Sequence, residues 1–450
     1  MYKFQFIFLI SFLIILSGCS SVEPEIPDEQ PDNNENLYLE FNKWVYQEMN
    51  AQYLWREDLP DSLDCNYDLA PKAFFESLLS SKDRFSYFTS NPYYNGSRSE
   101  YPGFAYQKVR DKNGNEFLQV IYVTSYEAKK SGLKRGDLLE MKKRVGNKIL
   151  YRRYKEKEGK ISWNGEILEI TIDDVLGPEN TVLLDTVYKI DAHKIGYLCY
   201  LNFGEPKDLE PSLNKFLNED ITDLILDLRY NPGGLVSTSK FLSNCIVSSK
   251  GYGHIFQKYR YNDILTLQYT LASNDSKFYS SFSFPQGGGM ESIARPIIGL
   301  NMKKVYIITS SRTASASEAT IICLKPYMEV VTIGEKTVGK GVGSWNIYDS
   351  KYPYSIQPIT MRYFNADEET VPDEGLMPDY PVAGSSVTAK IEIGETNEPL
   401  LDMALSLILN GVSRHLNPTD NYNPEILTLV PIGNPSYIDD FNKKYYNESN

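Results

Sequence analysis

The amino-acid sequence predicts a multi-domain α/β protein. Residues 37 to about 79 show helical periodicity, short strands and turns follow from about residue 101, and strand-like and helix-like segments alternate from about Val187 onward. Such alternation is typical of a sheet that is covered by helices. At 450 residues the chain is long enough for two or three domains, each with a core of its own.

The N-terminus has the pattern of a targeting segment. Lys3 precedes the apolar run Phe6–Leu16, which is too short to span a bilayer comfortably and has the size of the apolar region of a signal peptide. The motif Leu16-Ser-Gly-Cys19 resembles a bacterial lipobox, in which the cysteine is lipidated. An ordinary secretory signal with an incidental cysteine is the alternative. Residues 20–36 are acidic, lack Lys and Arg and hold three prolines, which predicts an extended tether.

From these features we expect a lipid anchor at Cys19 in a bacterial membrane. The outer membrane is favoured, with the body of the protein facing the periplasm or the cell exterior. The net charge of −13, from 46 basic and 59 acidic residues, argues against nucleic acid as a partner. The four other cysteines show neither C-x-x-C pairs nor metal-ligand spacing, so we expect no metal and no cofactor: Cys65, Cys199, Cys245 and Cys323.

Helical and strand elements can be assigned in chain order up to about residue 172. The first region is helical and closes with Phe74–Leu79. Phe117–Val123 is apolar and β-branched, which predicts a strand. A short helix near Ala128 leads into a turn bounded by Gly132 and Gly136, and residues 161–172 supply a further strand.

Two later segments lack clear periodicity. Residues 251–296 form a long stretch that is rich in Tyr and Ser and carries three consecutive glycines. A connection of this length in a compact domain is often functional. The segment after Gly411 is polar and gives no structural prediction.

A candidate nucleophile lies between a strand and a helix. Lys304–Thr309 reads as a buried strand and Ala319–Leu324 as a helix packed on a core, so Ser315 would lie on the turn that joins them. A hydroxyl there meets the backbone N–H groups and the positive end of the helix dipole. The alternative is structural, because Ser315 and Glu318 have the S-x-x-E spacing of a capping box.

A candidate base follows in the chain. The sequence has only three histidines, and none lies in a nucleophile-like context. Lys340 stands between two glycines, 25 positions beyond Ser315 (315 to 340). A lysine can act as a base near neutral pH only if burial lowers its pKa from about 10.4. One alternative is a solvated turn residue. Another is a phosphate-binding loop, since residues 334–340 match G-x-x-x-x-G-K, but Gly341 replaces the Ser or Thr that would bind magnesium.

A second glycine-containing segment has the composition of an oxyanion hole. Residues 223–229 read as a buried strand that runs into Tyr-Asn-Pro-Gly233-Gly234. Adjacent glycines at a strand end let N–H groups converge on a developing negative charge. A plain tight turn is the alternative reading of Asn-Pro-Gly-Gly.

Taken together, these segments resemble the carboxyl-terminal processing (tail-specific) serine protease family. The matching motifs are Asp227–Gly234, Thr313–Glu318, Thr337–Gly341 and, downstream, Gly375–Asp379. The resemblance implies a serine-type peptidase with a Ser/Lys dyad that cleaves extracytoplasmic proteins or peptides through an acyl-enzyme. It implies the following site: Ser315 as nucleophile, Lys340 as general base, Glu318 positioning the lysine, and an oxyanion hole of backbone N–H groups at Gly233, Gly234 and Ala316.

The resemblance also implies a crotonase/ClpP-like α/β core with an inserted PDZ-like domain and a small N-terminal helical domain. In the PDZ-like domain, a loop of Pro102, Gly103 and Phe104 would bind a peptide carboxylate, although this segment is less glycine-rich than the family pattern. The implied division begins with a signal peptide (1–19), a tether (20–36) and the helical domain (37–95). The PDZ-like domain (96–180), the peptidase core (181–411) and a tail (412–450) follow.

A competing interpretation assigns no catalysis to the chain. A lipoprotein on the same scaffold could capture peptides or other ligands without cleaving them, since a fold does not fix a function. The presence of Ser315, Glu318 and Lys340 together favours the enzyme. The oligomeric state has no signal in the sequence.

Overall fold

The computed structural model shows a mixed α/β protein. The residues that it describes are 34–89, 103–157, 160–171, 181–269, 276–285, 292–382, 391–411 and 427–429. The predicted signal peptide, Cys19, most of the predicted tether and Pro102 lie outside them. Within these ranges no helix combines the length and the apolar character needed to cross a membrane.

The N-terminal region and the inserted region contain the first elements. The N-terminal elements are α1 (Asn34–Gln52), α2 (Pro71–Ser77) and β1 (Tyr87–Thr89). The inserted elements are β2 (Phe104–Asp111), β3 (Glu116–Val123), α3 (Tyr126–Lys130), β4 (Leu138–Val145), β5 (Lys148–Lys157) and β6 (Lys160–Thr171).

The remaining elements belong to the larger C-terminal part. The first group is β7 (Val182–Ile190), β8 (His193–Tyr200), α4 (Glu210–Glu219), β9 (Asp223–Asp227), α5 (Val236–Val247), β10 (Ile255–Tyr261), α6 (Asp263–Tyr269), β11 (Ser276–Lys277), β12 (Ser281–Pro285) and β13 (Ser292–Pro296). The second group is β14 (Lys304–Thr309), α7 (Ala316–Leu324), β15 (Glu329–Gly334), β16 (Val342–Ser344), β17 (Ile347–Tyr348), β18 (Ser355–Gln357), β19 (Ile359–Phe364), β20 (Tyr380–Pro381), α8 (Pro399–Asn410) and β21 (Leu427–Leu429).

The centre of the protein is a six-stranded sheet with the order β20-β15-β14-β9-β8-β7. Its strands are parallel except for the edge strand β7, which is antiparallel to β8. One face packs on α4, α5 and α7, and the other packs on α8. Because both faces are covered, β9 reads as an uninterrupted apolar run, with Leu224, Ile225 and Leu226 all buried. The predicted α/β core is confirmed.

The N-terminal helical region shares its core with residues far along the chain. α1 buries Phe41, Val45 and Met49, which lie four positions apart on one face. These side chains cluster with Ile347 and Ile356 of the C-terminal part, and β1 pairs antiparallel with β18. The helix begins at Asn34, so the last residues of the predicted tether are helical.

The inserted region is an antiparallel sheet with the order β21-β2-β3-β4-β5-β6. The predicted strands over Phe117–Val123 and residues 161–172 are present to within one residue as β3 and β6. Leu427–Leu429 adds an outer strand along β2, which the polar composition of the predicted tail did not indicate.

Residues 251–296 are also more regular than expected. They supply β10 to β13 and α6, and β10 pairs with β19.

A buried ionic network connects the end of β9 to α8. The Arg229 guanidinium donates to Asp227 at 2.9 Å and to both carboxylate oxygens of Glu398 at 2.5 and 2.9 Å. Tyr197 donates to Asp227 at 2.7 Å, and the Glu398 side chain caps α8 by accepting from the Leu401 N–H. Burial alone would raise the pKa of Glu398, but the charge of Arg229 carries it below its ordinary value. The side chains of Arg229 and Glu398 are 2% and 1% exposed, so neither charge has water as a substitute partner.

We expect Glu398→Gln to lower the free energy of unfolding by roughly 3 kcal/mol or more, because it leaves the Arg229 charge buried with one partner fewer. The control is Glu76→Gln, which removes an exposed i,i+4 pair with Lys72 and should cost less than about 1 kcal/mol. Denaturant unfolding of both variants measures the difference. Equal, small losses would show that the network is not strongly stabilising.

Candidate active site

Ser315 lies on the strained turn that joins β14 to α7. It is the residue before the helix and has φ 57° and ψ −116°, a conformation that non-glycine residues rarely adopt. The side chain is half-buried, and the N-terminus of α7 lies beside it. Several contacts hold the turn against the end of β9. Among them, Thr313 donates to the Leu228 carbonyl at 2.9 Å, and Ser317 donates to the Asn231 carbonyl at 2.9 Å.

The Glu318 carboxylate joins the serine turn to the lysine loop. One of its oxygens accepts from the N–H groups of Ser315 and Lys340, both at 2.8 Å. The other accepts from the Gly339 N–H at 2.7 Å and the Thr337 hydroxyl at 2.5 Å. Burial raises the pKa of Glu318 above its ordinary value, while these donors favour the charged form. The carboxylate half of the predicted capping box is therefore present, and the same group also positions the backbone of Lys340.

Lys340 is half-buried in the loop between β15 and β16. Burial lowers the pKa of its amine, and the negative charges of Glu318 and Asp83 act in the opposite direction. Its Nζ lies 5.4 Å from the centre of the Phe85 ring. Within the described residues no hydrogen bond links the Ser315 hydroxyl to the lysine amine. Their backbones are linked through Glu318 and through the Tyr363 hydroxyl, which lies 3.1 Å from the Ser315 carbonyl oxygen and 2.9 Å from that of Lys340.

The glycine turn after β9 lies directly against Ser315. A Cβ on Gly233, whose φ is +109°, would lie 2.8 Å from the Ser315 Cβ and 3.0 Å from the Ala316 nitrogen. The expected oxyanion hole of Gly233, Gly234 and Ala316 needs one correction. The Gly233 N–H already donates to the Asn231 side chain at 2.9 Å, so it is not a donor for an oxyanion in this arrangement. In the part of the chain that the structure describes, the N–H groups of Gly234 and Ala316 have no acceptor. These two amides remain the candidate oxyanion hole.

The phosphate-loop alternative for residues 334–340 is wrong. In such a loop a strand leads through free amides into a helix. Here the segment runs from β15 through the loop to β16, and the amides of Gly339 and Lys340 already donate to Glu318. In addition, the described residues contain no group of three or more His, Cys, Asp or Glu side chains that could hold a metal ion.

The predicted peptide-binding loop is only partly within the described residues. Gly103 has φ +76°, and its carbonyl accepts from the N–H groups of Thr124 and Ser125 at 2.8 and 3.0 Å. The Phe104 side chain is buried in the core of the inserted domain. A role of this loop in binding a carboxylate stays a prediction.

Four residues of the site were not assigned a role from the sequence. Asn231 and Thr337 stood inside recognised motifs, but their side-chain partners could not be read from spacing. Tyr363 had no signal, because its contacts depend on how β19 pairs with β16. Phe85 belongs to the N-terminal region and reaches Lys340 only in the folded protein.

The geometry is typical of a serine hydrolase: a serine on a strained turn at a helix N-terminus, adjacent backbone amides and a half-buried basic side chain. Comparison with known families gives the more specific assignment. The family profile described as "Peptidase family S41" matches residues 194–382, and the one described as "Peptidase S41 N-terminal domain" matches residues 40–87. The chain belongs to peptidase family S41.

Individual relatives are distant. Carboxy-terminal processing protease CtpB of Bacillus subtilis is 27% identical over 35% of this chain and 28% of its own length. Carboxy-terminal processing protease CtpA of the same organism is 25% identical over 44% of this chain and 37% of its own length. The chain thus spans less than half the length of these curated relatives. A solved structure assigned to the S41 proteases, from Bacteroides fragilis, shares the fold with a TM-score of 0.68 and 24% identity, covering 86% of this chain and 100% of that one.

We expect Gly233→Ala to destabilise the protein more than Gly253→Ala. Both glycines have positive φ, but a Cβ at Gly253 meets nothing within 4 Å, whereas one at Gly233 collides with the Ser315 turn. The backbone penalty alone is about 1–2 kcal/mol, and the collision should add roughly 1–3 kcal/mol at Gly233. Denaturant unfolding compares the two variants. Matching losses would mean that the Gly233 turn is free to move away from Ser315.

Proposed function

We propose that this protein is a serine endopeptidase of the carboxyl-terminal processing type, with Ser315 as nucleophile and Lys340 as general base. The observation that supports this most strongly is the position of Glu318. A single oxygen of its carboxylate accepts hydrogen bonds from the backbone N–H groups of both Ser315 and Lys340. A helix cap alone would not need the second contact. Membership in peptidase family S41 supports the same reaction class.

In the proposed mechanism Lys340 starts as a neutral amine. It removes the hydroxyl proton of Ser315 as the serine oxygen forms a bond to the peptide carbonyl carbon. The amides of Gly234 and Ala316 donate to the resulting oxyanion. The lysine ammonium then protonates the leaving amine as the peptide C–N bond breaks. A water molecule, deprotonated by Lys340, attacks the acyl-enzyme ester and releases the acid, and the proton returns to Ser315.

The substrates of the proposed enzyme are proteins or peptides outside the cytoplasm. The signal-like N-terminus with Cys19 supports export and lipid anchoring, and the inserted antiparallel domain is proposed to be PDZ-like. Such a domain binds a peptide as an added strand. The names of the relatives support cleavage near carboxyl termini.

We expect Ser315→Ala and Lys340→Ala each to reduce peptide hydrolysis by at least about 100-fold, since each removes a group that takes part in bond formation or proton transfer. Lys336→Ala, which removes an exposed lysine from the same loop, is the matched control and should keep wild-type activity. Hydrolysis of a diverse peptide library by the full chain measures this. Equal inactivity of wild type and variants would favour a protein that binds ligands without cleaving them.

We also expect activity to rise with pH. Burial lowers the pKa of Lys340, so the reactive neutral form accumulates as pH rises through that lowered value and is lost as pH falls below it. The acid limb of kcat/KM against pH reports this titration. Lys340→Arg should remain inactive throughout, because a guanidinium stays protonated. A rate that stays flat from about pH 5 to 9 would rule out the lysine as base.

A further inference from the structure

The segment Asp83–Ser86 connects the N-terminal domain to the catalytic loop. The Asp83 carboxylate accepts from the N–H groups of Phe85 and Ser86, both at 2.9 Å, and from the Tyr53 hydroxyl at 2.8 Å. The Ser86 hydroxyl donates to the same carboxylate. These contacts fix the segment as a rigid turn whose shape is set by the N-terminal domain.

Two side chains of this turn reach the surroundings of Lys340. The Phe85 ring lies 5.4 Å from the lysine Nζ and 4.9 Å from the centre of the Arg84 guanidinium. Arg84 donates to the carbonyls of Val338 at 3.0 Å and Asp373 at 2.5 Å. Val338 lies two residues before Lys340, so Arg84 fixes the loop that carries the base.

The turn is also attached to the strand next to the lysine loop. The Ile359 N–H donates to the Ser86 hydroxyl at 2.8 Å, and the Ile359 carbonyl accepts from the Leu54 N–H at 2.8 Å. Ile359 begins β19, which pairs with β16 immediately after the lysine loop. The position of Phe85 over Lys340 is therefore determined from both sides.

We propose that Phe85 and Arg84 are positioning residues for Lys340, so that the N-terminal domain completes the catalytic site. Phe85 covers the amine and keeps water from it, while Arg84 holds the neighbouring carbonyls. This inference rests on the proposed role of Lys340 as base, but the covering of the amine is a property of the fold that can be measured separately.

The electrostatics of the lysine agree with this role. Four charged or titratable groups lie around Lys340. They are the carboxylates of Glu318 and Asp83, the Arg84 guanidinium, which also lies over the Phe85 ring, and the Tyr363 hydroxyl, which donates to the Lys340 carbonyl. Burial lowers the pKa of Lys340 against the effect of the two carboxylates. An aromatic ring favours the ammonium form only weakly at this distance, so its main effect here is to exclude water.

The test compares Phe85→Ala with Phe85→Leu in the full chain. We expect Phe85→Ala to admit water, to shift the acid limb of kcat/KM to higher pH, and to reduce kcat at neutral pH by roughly tenfold or more. Phe85→Leu keeps an apolar cover and should restore most of the wild-type profile. Phe88→Ala, which removes a ring packed in the N-terminal core, is the control for general destabilisation and should leave the acid limb in place.

A second measurement does not depend on turnover. NMR titration of ¹⁵N-lysine-labelled protein, with the Lys340 signal identified by its loss in Lys340→Ala, should show the amine titrating at higher pH in Phe85→Ala than in wild type. Phe85→Gln provides the same comparison if Phe85→Ala does not fold. If Phe85→Ala is active and both its Lys340 titration and its acid limb match those of the wild type, this inference is overturned while the proposed function stands. A shifted titration in a protein that cleaves no peptide would instead contradict the proposed function.

Discussion

The candidate active site is organised around one buried carboxylate. Glu318 accepts four hydrogen bonds from two separate parts of the chain, the turn before α7 and the loop before β16. A buried charge is costly unless its hydrogen bonds are made, so moving either segment alone would leave this group poorly satisfied. The serine turn and the lysine loop are therefore held in a fixed relation by the requirement to solvate one anion.

The parallel sheet supplies the rest of the arrangement. Because β9 and β14 are parallel neighbours, their carboxyl ends lie at the same edge, and the Gly233 turn meets the Ser315 turn there. The ionic network of Asp227, Arg229 and Glu398 fixes this edge from the other side of the sheet. Backbone strain at Ser315 is sustained because the structure on both sides is already determined.

The sequence was most informative where a residue's role follows from its immediate neighbours. The buried strands before Arg229 and before Ser315, the glycine turn and the lysine between glycines could all be read from local pattern. Contacts made by side chains across long separations could not. The Asn231 side chain accepts from the Gly233 N–H, the Tyr363 hydroxyl lies between two loop carbonyls, and β21 pairs with β2. Each of these contacts depends on tertiary geometry that composition does not encode.

The attachment of the N-terminal region has a consequence for synthesis of the chain. Ser86 contacts Ile359 across 273 positions, and Phe41 packs with a cluster that includes Ile356. During translation α1 and α2 emerge first, and the C-terminal residues that complete their core follow only after most of the chain has been made. Loop closure over such separations is slow compared with local folding. The core of the N-terminal region, and the turn that places Phe85 beside Lys340, therefore cannot be completed until the chain has been made beyond Ile359.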